Sequence, residues 1–242
     1  MRMIRLPALL ALLILATLPR PAPAESFTPA QRGEIVQILR DALKQDPSIL
    51  REAIEALRQD EVRRKTEALR AQSGHLVDPA DPVAGNPKGD VTIVEFFDTR
   101  CPYCRRLEPA MASLLAEDKG VRLVFKDLPI LGPASVLGAR ALLAAQRQGG
   151  YEKLRAALMQ PGFVASDASL AMASRNAGLD WPRLKQDMDD PAIERRLAAN
   201  LTQAHALGIE GTPALIIGTT LIPGAVELAD LRRAVTQARA GK

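Results

Sequence analysis

Cysteine and histidine are scarce in this sequence, which holds two residues of each among 242. A fold that relies on disulfides needs a larger set of cysteines, so a disulfide framework is excluded. A structural zinc site needs four ligands. The two histidines, His75 and His205, are isolated and show no ligand spacing. We therefore interpret both as structural or surface residues and predict no metal site and no cofactor.

Long hydrophobic runs are absent except near the N-terminus. Leu6 to Leu18 is apolar but too short to span a bilayer comfortably. It follows Arg2 and Arg5 and precedes the small-residue pattern Ala22-Pro23-Ala24. This order predicts a cleaved secretory signal peptide over residues 1–24, with an uncleaved membrane anchor as the alternative. Export implies a periplasmic location, an oxidising compartment where disulfides persist.

An excess of charge of one sign is also missing. The full sequence has 32 basic against 28 acidic residues. The predicted signal peptide contains three arginines and no acidic residue, so its removal leaves the chain almost neutral. Because nucleic-acid binding depends on a basic surface, we predict no nucleic-acid partner.

The segment after the signal peptide is rich in alanine, leucine, arginine and glutamate and has helical character. Thr28-Pro29 and Asp46-Pro47 are helix-start signals, since a capping side chain precedes a proline at the first helical position. Residues 25–72 thus form a predicted helical region that is too small to bury a core alone. It packs either on the main domain or on copies of itself, and we favour self-association. Residues 73–90, with many turn residues, are a predicted linker.

The two cysteines lie in Cys101-Pro102-Tyr103-Cys104, directly after a predicted buried strand, Val91 to Phe97. Helically spaced apolar residues follow the motif. The cysteines therefore lie where a strand ends and a helix begins. The N-terminus of a helix carries a partial positive charge and unpaired N–H groups, which stabilise a thiolate.

The remaining pattern gives the fold class. Val121 to Lys126 is a second predicted strand, and residues from about 135 to 208 read as helices throughout. A third strand, Ala214 to Ile217, has Leu221-Ile222 as its partner, and a closing helix runs from Val226 to Ala240. The order predicts an α/β protein whose domain, residues 91–242, contains a helical insertion.

The motif Cys101-Pro102-Tyr103-Cys104 after a strand, with Gly211-Thr212-Pro213 before a later strand, resembles the thioredoxin superfamily. The helical insertion makes the chain similar to the DsbA family of exported disulfide oxidoreductases. Glutaredoxins share the cysteine motif, but their conserved proline follows much sooner. The helical N-terminal region resembles that of ScsC proteins, which are linked to copper tolerance and trimer formation. The resemblance implies a thioredoxin-like fold with a helical insertion, preceded by an oligomerisation region.

We predict Cys101 as the nucleophile and Cys104 as the resolving thiol, which attacks the mixed disulfide that Cys101 forms. Arg100, Arg105 and Arg106 are close in sequence and are expected to favour the Cys101 thiolate. Thiols in such settings have pKa values of roughly 3.5–7.5.

The residues predicted to contact the substrate are Pro102, Tyr103, Thr212 and Pro213. By resemblance, Pro213 is a cis-proline that faces the active site, although the residues alone would assign a trans bond. Its loop is expected to offer the Thr212 backbone to an extended substrate. Tyr103 lacks the ionisable imidazole of strongly oxidising relatives. We therefore expect a reduction potential less extreme than about −120 mV and nearer to about −180 mV.

Glu95 is the one acid inside the predicted strand before the motif, and a buried carboxylate is costly. By resemblance it matches the buried acid that relays protons during thiol exchange; the alternative is a strand acid pointing to solvent. Lys126 is the expected charge partner of Glu95. Glu108, one helical turn after Cys104, is either part of this site or an ordinary solvated acid.

These features predict a thiol–disulfide oxidoreductase that introduces or isomerises disulfides in exported proteins. Its expected partners are unfolded or misfolded proteins with cysteines, a redox protein that resets the dithiol, and further copies of this chain, with a trimer favoured. The alternative is a copper(I)-binding protein that uses the same two thiolates, because soft thiolates suit that ion.

Overall fold

The computed structural model describes residues 27–72 and 74–241. The chain divides into two compact units, Met1–Leu57 and Arg58–Lys242. The predicted signal peptide lies outside the described residues. Among the helices that the structure describes, none combines the length and apolar character needed to cross a membrane.

The N-terminal region consists of helices α1 (Pro29–Gln45) and α2 (Ser48–Gln72), and the boundary between the two units falls within α2. Thr28 caps α1, because its hydroxyl accepts the Gln31 N–H while the Gln31 side chain accepts the Thr28 N–H. No residue of α1 is buried. The exposed side chains of the first unit include many large apolar ones: Phe27, Ile35, Val36, Ile38, Leu39, Leu43, Ile49, Leu50, Ile54 and Leu57.

The second unit is built on a mixed sheet. Its strands, in the order β1-β3-β2-β4-β5, are β1 (Val83–Gly85), β2 (Val91–Phe97), β3 (Val121–Asp127), β4 (Ala214–Ile217) and β5 (Thr220–Pro223). β2 and β3 are parallel, and the other neighbours are antiparallel. β1 corrects one boundary: it lies within the predicted linker, yet it pairs with β3 and so belongs to the sheet.

Seven helices accompany the sheet in the described residues of this unit: α3 (Pro102–Glu117), α4 (Pro133–Gln146), α5 (Tyr151–Leu158), α6 (Asp167–Asn176), α7 (Trp181–Met188), α8 (Pro191–Ala206) and α9 (Leu228–Ala240). α3 connects the parallel strands β2 and β3, as a parallel pair requires. α4 to α8 form the predicted helical insertion between β3 and β4. The mixed α/β architecture confirms the predicted fold class.

The two faces of the sheet bury different clusters. Ile93 and Phe97 of β2 belong to the larger cluster, which includes residues of α3, α4 and α5. Val94 and Phe96 belong to the smaller cluster, which also contains Leu69 of α2. Full burial of one such side chain contributes roughly 1.5–3 kcal/mol. Since side chains alternate along a strand, the odd-numbered positions of β2 face the helix that carries the cysteines.

Candidate active site

Cys101 lies after the end of β2 and directly before the first residue of α3. It is the N-cap residue of α3, with extended backbone angles, and Pro102 is the first helical residue. The Cys101 N–H donates to the Asp98 carbonyl at 3.0 Å, and the Cys101 carbonyl accepts the Arg105 N–H at 3.2 Å. Cys104 is in the first turn. The strand-to-helix placement of both cysteines agrees with the sequence analysis.

The two thiols have opposite proton affinities. Both cysteines are free and buried. Hydrogen bonding from Cys104, and then from the Thr212 side chain and the backbone of Cys104 and Tyr103, lowers the pKa of Cys101 from 9.0 to about 5 against the effect of burial. The hydrogen bond to Cys101 and then burial raise the pKa of Cys104 far above its usual range. At neutral pH Cys101 is therefore the thiolate and Cys104 holds its proton.

The loop before β4 meets the nucleophile from the other half of the sheet. The Thr212-Pro213 peptide bond is cis, as the resemblance implies. Cys101 Sγ lies 3.1 Å from the Thr212 carbonyl oxygen, to which the thiol donates a hydrogen bond when it is protonated. Pro213 is buried and Thr212 is half-buried. The structure thus brings together residues that the sequence separates widely.

Tyr103 forms the outer rim of the site and is 54% exposed. The Arg106 guanidinium lies 4.7 Å from the centroid of its ring, a cation–π contact. The other two nearby arginines are engaged with backbone carbonyls: Arg100 donates to Leu131 at 2.6 Å and Arg105 to Thr99 at 2.8 Å. The largest causes of the low Cys101 pKa are hydrogen bonds, and two of them come from the backbone of the first turn of α3, as the sequence analysis expects. The three arginines, which it also names, are not among these causes.

Asp98 organises the backbone beside the nucleophile, a role that sequence reasoning missed. It is buried, and its carboxylate accepts the N–H groups of Arg100 at 2.8 Å, Ile130 at 2.9 Å and Leu131 at 3.1 Å. The loop after β3 is thereby fixed to the active-site turn. An acid directly between a buried strand and a cysteine motif is the sequence signal that could have indicated this role.

Glu95 is fully buried on the sheet face that α3 covers. Burial raises its pKa from 4.5 to about 7, while Arg155 lowers it and Glu108 raises it. One carboxylate oxygen, Oε2, lies 3.5 Å from Arg155 Nη2. Among the described residues the other oxygen, Oε1, has no hydrogen-bond partner. The interpretation of Glu95 as an acid pointing to solvent is therefore wrong.

The expected pairing of Glu95 with Lys126 is also wrong. Lys126 forms a buried ion pair with Asp81, at 2.7 Å. In the parallel register Glu95 is opposite Phe125 and Phe96 is opposite Lys126. Because side chains alternate, Lys126 lies on the opposite face of the sheet from Glu95.

Arg155 of α5 is the cation that accompanies Glu95. It binds Glu108 through two hydrogen bonds, of 2.6 and 2.8 Å, so Glu108 belongs to the buried charge cluster. Its guanidinium lies 4.6 Å from the ring centroid of Phe97 and 4.2 Å from that of Phe125. Nothing local in the sequence indicates this arginine, because it follows Glu95 by 60 residues.

Asp127, at the end of β3, is another buried acid near Arg155. Burial raises its pKa from 3.8 to about 7, opposed by the Tyr151 hydrogen bond and by Arg155. The Tyr151 hydroxyl donates to it at 2.9 Å. Sequence reasoning did not single out this residue.

In residues 27–72 and 74–241, no group of three or more His, Cys, Asp or Glu side chains is placed to hold a metal ion. A cavity of about 420 Å³ is lined by Val91 and Thr92, at the end of β2 remote from the cysteines, and neither cysteine lines it.

The fold and the paired thiols define a member of the thioredoxin superfamily. The family profile described as Thioredoxin matches residues 77–237, so the chain belongs to that family. A second profile, described as the copper resistance protein ScsC N-terminal domain, matches residues 31–62. Within the superfamily the chain is DsbA- and ScsC-like.

Solved structures support this placement. A thioredoxin-like oxidoreductase from Silicibacter pomeroyi is 44% identical, with a TM-score of 0.66 over 68% of this chain and 95% of that one. Proteus mirabilis ScsC in a transitional conformation is 30% identical, with a TM-score of 0.66 over 90% and 99%. The thiol-disulfide exchange protein alpha-DsbA2 from Wolbachia pipientis is 28% identical, with a TM-score of 0.69 over 74% and 97%.

Curated sequences include much longer proteins. One named Na(+)/H(+) antiporter NhaA 1, from Salinispora arenicola, is 30% identical over 74% of this chain. The chain spans only 29% of that relative's length.

Proposed function

We propose that this protein is a periplasmic thiol–disulfide oxidoreductase that introduces or isomerises disulfides in exported proteins through Cys101 and Cys104. The observation that carries the proposal is the placement of two free thiols at the N-terminus of α3, with Cys101 Sγ 3.1 Å from the carbonyl of the cis Thr212-Pro213 bond. The lowered pKa of Cys101 and the raised pKa of Cys104 support it. A thiolate is the attacking species in disulfide exchange, and a lower pKa also makes it a better leaving group.

The proposed exchange needs no cofactor. The Cys101 thiolate attacks a substrate disulfide and forms a mixed disulfide, which releases the substrate's other thiolate. Cys104 then loses its proton, attacks Cys101 Sγ and frees the substrate, so the dithiol is oxidised and the substrate reduced. The reverse sequence oxidises a substrate dithiol. If the substrate's own thiol attacks first, the disulfide is rearranged and Cys101 is regenerated.

We expect substrate chains to bind beside Tyr103 and the Thr212-Pro213 loop. Tyr103 presents an exposed ring next to the nucleophile, and the Thr212 backbone is placed at the edge of the dithiol. An extended segment can form backbone hydrogen bonds there, which are tolerant of sequence. Such tolerance suits unfolded and misfolded substrates.

The N-terminal helices support self-association, with a trimer as the preferred assembly. α1 buries no side chain in the single chain, and the apolar residues of the first unit are largely exposed. Apolar surface of this extent marks an interaction site. The match of residues 31–62 to the ScsC N-terminal profile favours the same interpretation. Several catalytic units in one assembly would favour isomerisation over simple oxidation.

The decisive experiment is refolding of ribonuclease with scrambled disulfides, comparing the full mature chain, a chain starting at Arg58, and Cys101→Ser. Leu69 is a buried member of the second cluster, so a truncation at Arg58 keeps the core that a truncation at Ser73 would damage. Activity of the full chain that is lost in Cys101→Ser supports the proposal. Absence of activity in the full chain contradicts isomerisation. Light scattering that shows a monomeric full chain contradicts self-association.

A copper(I) carrier is the second candidate, favoured by the profile match to a copper resistance protein. Both thiolates would then ligate the ion. Tight copper(I) binding without exchange activity supports this function. Exchange activity of the metal-free protein, unchanged by a copper chelator, supports the oxidoreductase.

A further inference from the structure

The guanidinium of Arg105 in α3 donates hydrogen bonds to three backbone carbonyls. Its Nη2 atom lies 2.8 Å from the Thr99 oxygen, 3.1 Å from that of Phe163 and 3.5 Å from that of Leu158. Its Nε atom lies 3.2 Å from the Thr99 oxygen as well. Thr99 is two residues before Cys101, whereas Leu158 ends α5 and Phe163 lies in the loop that follows. One half-buried side chain thus joins the turn that carries the nucleophile to the helical insertion.

The position of Arg105 is unfavourable for its own helix. It is close to the N-terminal end of α3, where the helix dipole repels a cation. Its guanidinium instead reaches the C-terminal end of α5 at Leu158, where the last carbonyls of a helix have no partner within it and favour a positive charge. The hydrogen bonds to the insertion therefore offset a local cost.

The neighbours of Thr99 in this turn are bound in the same direction. Asp98 accepts the N–H groups of Ile130 and Leu131, and Arg100 donates to the Leu131 carbonyl. Ile130 and Leu131 lie in the loop that leads from β3 to α4. All three residues between β2 and the nucleophile are thus tied to the insertion or to the loop that leads into it.

Helix α4 of the insertion approaches the same turn at Gly138. A Cβ atom at this position would lie 2.9 Å from Thr99 Oγ1, which is closer than side chains normally approach, and 3.6 Å from Leu158 Cδ2. Gly138 is a buried residue in the interior of α4, where glycine is less favourable than alanine. The space that Thr99 occupies accounts for this glycine, so the turn and α4 fit closely.

We propose that Arg105 is a positioning residue for Cys101: it fixes the Thr99 carbonyl to the loop after α5, so that the helical insertion supports the turn that carries the nucleophile. This inference rests on the proposed function. Arg105 acts through the backbone of Thr99, two residues before the reacting sulfur. The turn sets where Cys101 lies relative to the N-terminus of α3 and to the Thr212 loop. Loss of Arg105 should therefore weaken the hydrogen bonds that stabilise the Cys101 thiolate.

The test measures two properties of the full chain: the pH dependence of iodoacetamide alkylation of reduced Cys101, and the reduction potential of the dithiol against glutathione. The wild-type alkylation rate should rise with a midpoint near pH 5, since the thiolate is the species that reacts. In Arg105→Gln the midpoint should move up by about one unit, the effect of losing roughly one hydrogen bond to a charged group. The reduction potential should then fall by about 30 mV, because a tenfold loss of thiolate stability disfavours the reduced form by that amount.

Three variants separate positioning from charge and from stability. Arg105→Lys keeps the charge but not the planar fork, so it should recover less than half of the shift. Arg106→Gln removes an equal charge from the next residue, whose guanidinium lies over the Tyr103 ring, and should move the midpoint less than Arg105→Gln does. Arg147→Gln is the matched control, because Arg147 forms two ion pairs within the insertion and its loss should leave the midpoint and the potential unchanged.

A compensating pair of substitutions keeps the inference testable if Arg105→Gln does not fold. Gly138→Ala should push Thr99 away from α4 and raise the Cys101 midpoint, although alanine is the better helix former. Adding Thr99→Ala removes the Oγ1 atom that the new methyl group meets. The midpoint of the double variant should therefore return to that of Thr99→Ala alone.

The outcomes are distinct. A wild-type chain that is alkylated normally but exchanges no disulfide with glutathione contradicts the proposed function itself. A normal wild type with an unmoved midpoint and potential in folded Arg105→Gln overturns the role of Arg105. Full recovery in Arg105→Lys also overturns it, since charge alone would then suffice. If Arg105→Gln does not fold, an unmoved midpoint in Gly138→Ala overturns it instead.

Discussion

Cys101 Sγ and the Thr212 carbonyl oxygen are 3.1 Å apart although 111 residues separate them in the chain. The contact joins the N-terminus of α3 to the loop that precedes β4. It also places the hydrogen-bonding groups of Thr212 beside the nucleophile. The reactivity of Cys101 is thus set jointly by its own helix and by a distant loop.

We expect the Cys101 thiol to titrate with a midpoint near pH 5 in the reduced protein, measured by thiolate absorbance in the ultraviolet. Cys104→Ala should raise this midpoint, because the hydrogen bond from Cys104 is the largest cause of the low pKa. Cys104→Ser keeps a donor and should raise it less. If the Cys104→Ala midpoint equals that of the wild type, the N-terminus of α3 and the Thr212 loop alone are enough to lower the pKa of Cys101.

Replacing Glu95 with glutamine should stabilise the protein above neutral pH. Burial raises the pKa of Glu95 from 4.5 in the unfolded chain to about 7 in the fold. The folded state therefore holds its proton more tightly, and the wild type loses stability as pH rises from 4.5 to 7. The stability of Glu95→Gln relative to wild type should grow across this window by roughly 3 kcal/mol and then stay constant.

Urea unfolding at several pH values measures this effect. Both proteins should carry Cys101→Ala and Cys104→Ala, so that thiol ionisation does not contribute. A stability difference that is independent of pH would contradict the raised pKa of Glu95.

Lys126→Met should destabilise the fold without changing the titration of Cys101. Lys126 and Asp81 form a buried pair on the sheet face away from the dithiol, and Asp81 also accepts from Arg196 at 2.6 Å. Because Asp81 keeps that partner, the loss should be below the ~3–5 kcal/mol typical of a buried charge left alone. A shift of the Cys101 titration midpoint in the folded variant would contradict this and show that Lys126 influences the active site.

Tyr103→His should make the protein a stronger oxidant. An imidazolium at this exposed position would stabilise the Cys101 thiolate and hence the reduced form, raising the reduction potential. Titration against glutathione measures the potential, with Tyr103→Phe as the control that keeps an aromatic ring without a titratable group. The wild type should lie near −180 mV, about the value of disulfide isomerases, and a value below about −250 mV would identify a reductant instead.

The sequence predicted what depends on local pattern. The bounds of β2 and β4 agree with their apolar runs, and the cysteine motif marks the start of α3. Glu95 was recognised as an acid inside a buried strand. The short strand β1 was not, because its three residues lie among turn-forming residues.

The partner of Glu95 could not be predicted, for a physical reason. Lys126 is on the adjacent strand, but only the register of β2 and β3 decides which face it occupies. A shift of one residue would have brought it to the side of Glu95. Arg155 comes from the helical insertion, and its approach depends on how α5 packs over Phe97 and Phe125.

The loop that Asp98 binds after β3 has a fixed backbone but exposed side chains. Its backbone N–H groups are bound, while the side chains of Ile130 and Leu131 are 40% and 42% exposed. Because these bonds use only backbone groups, we expect substitutions of the two side chains to leave the hydrogen bonds to Asp98 and the turn that carries Cys101 in place. In evolutionary terms, these two exposed positions are free to diverge while the buried hydrogen bonds beneath them are inherited unchanged.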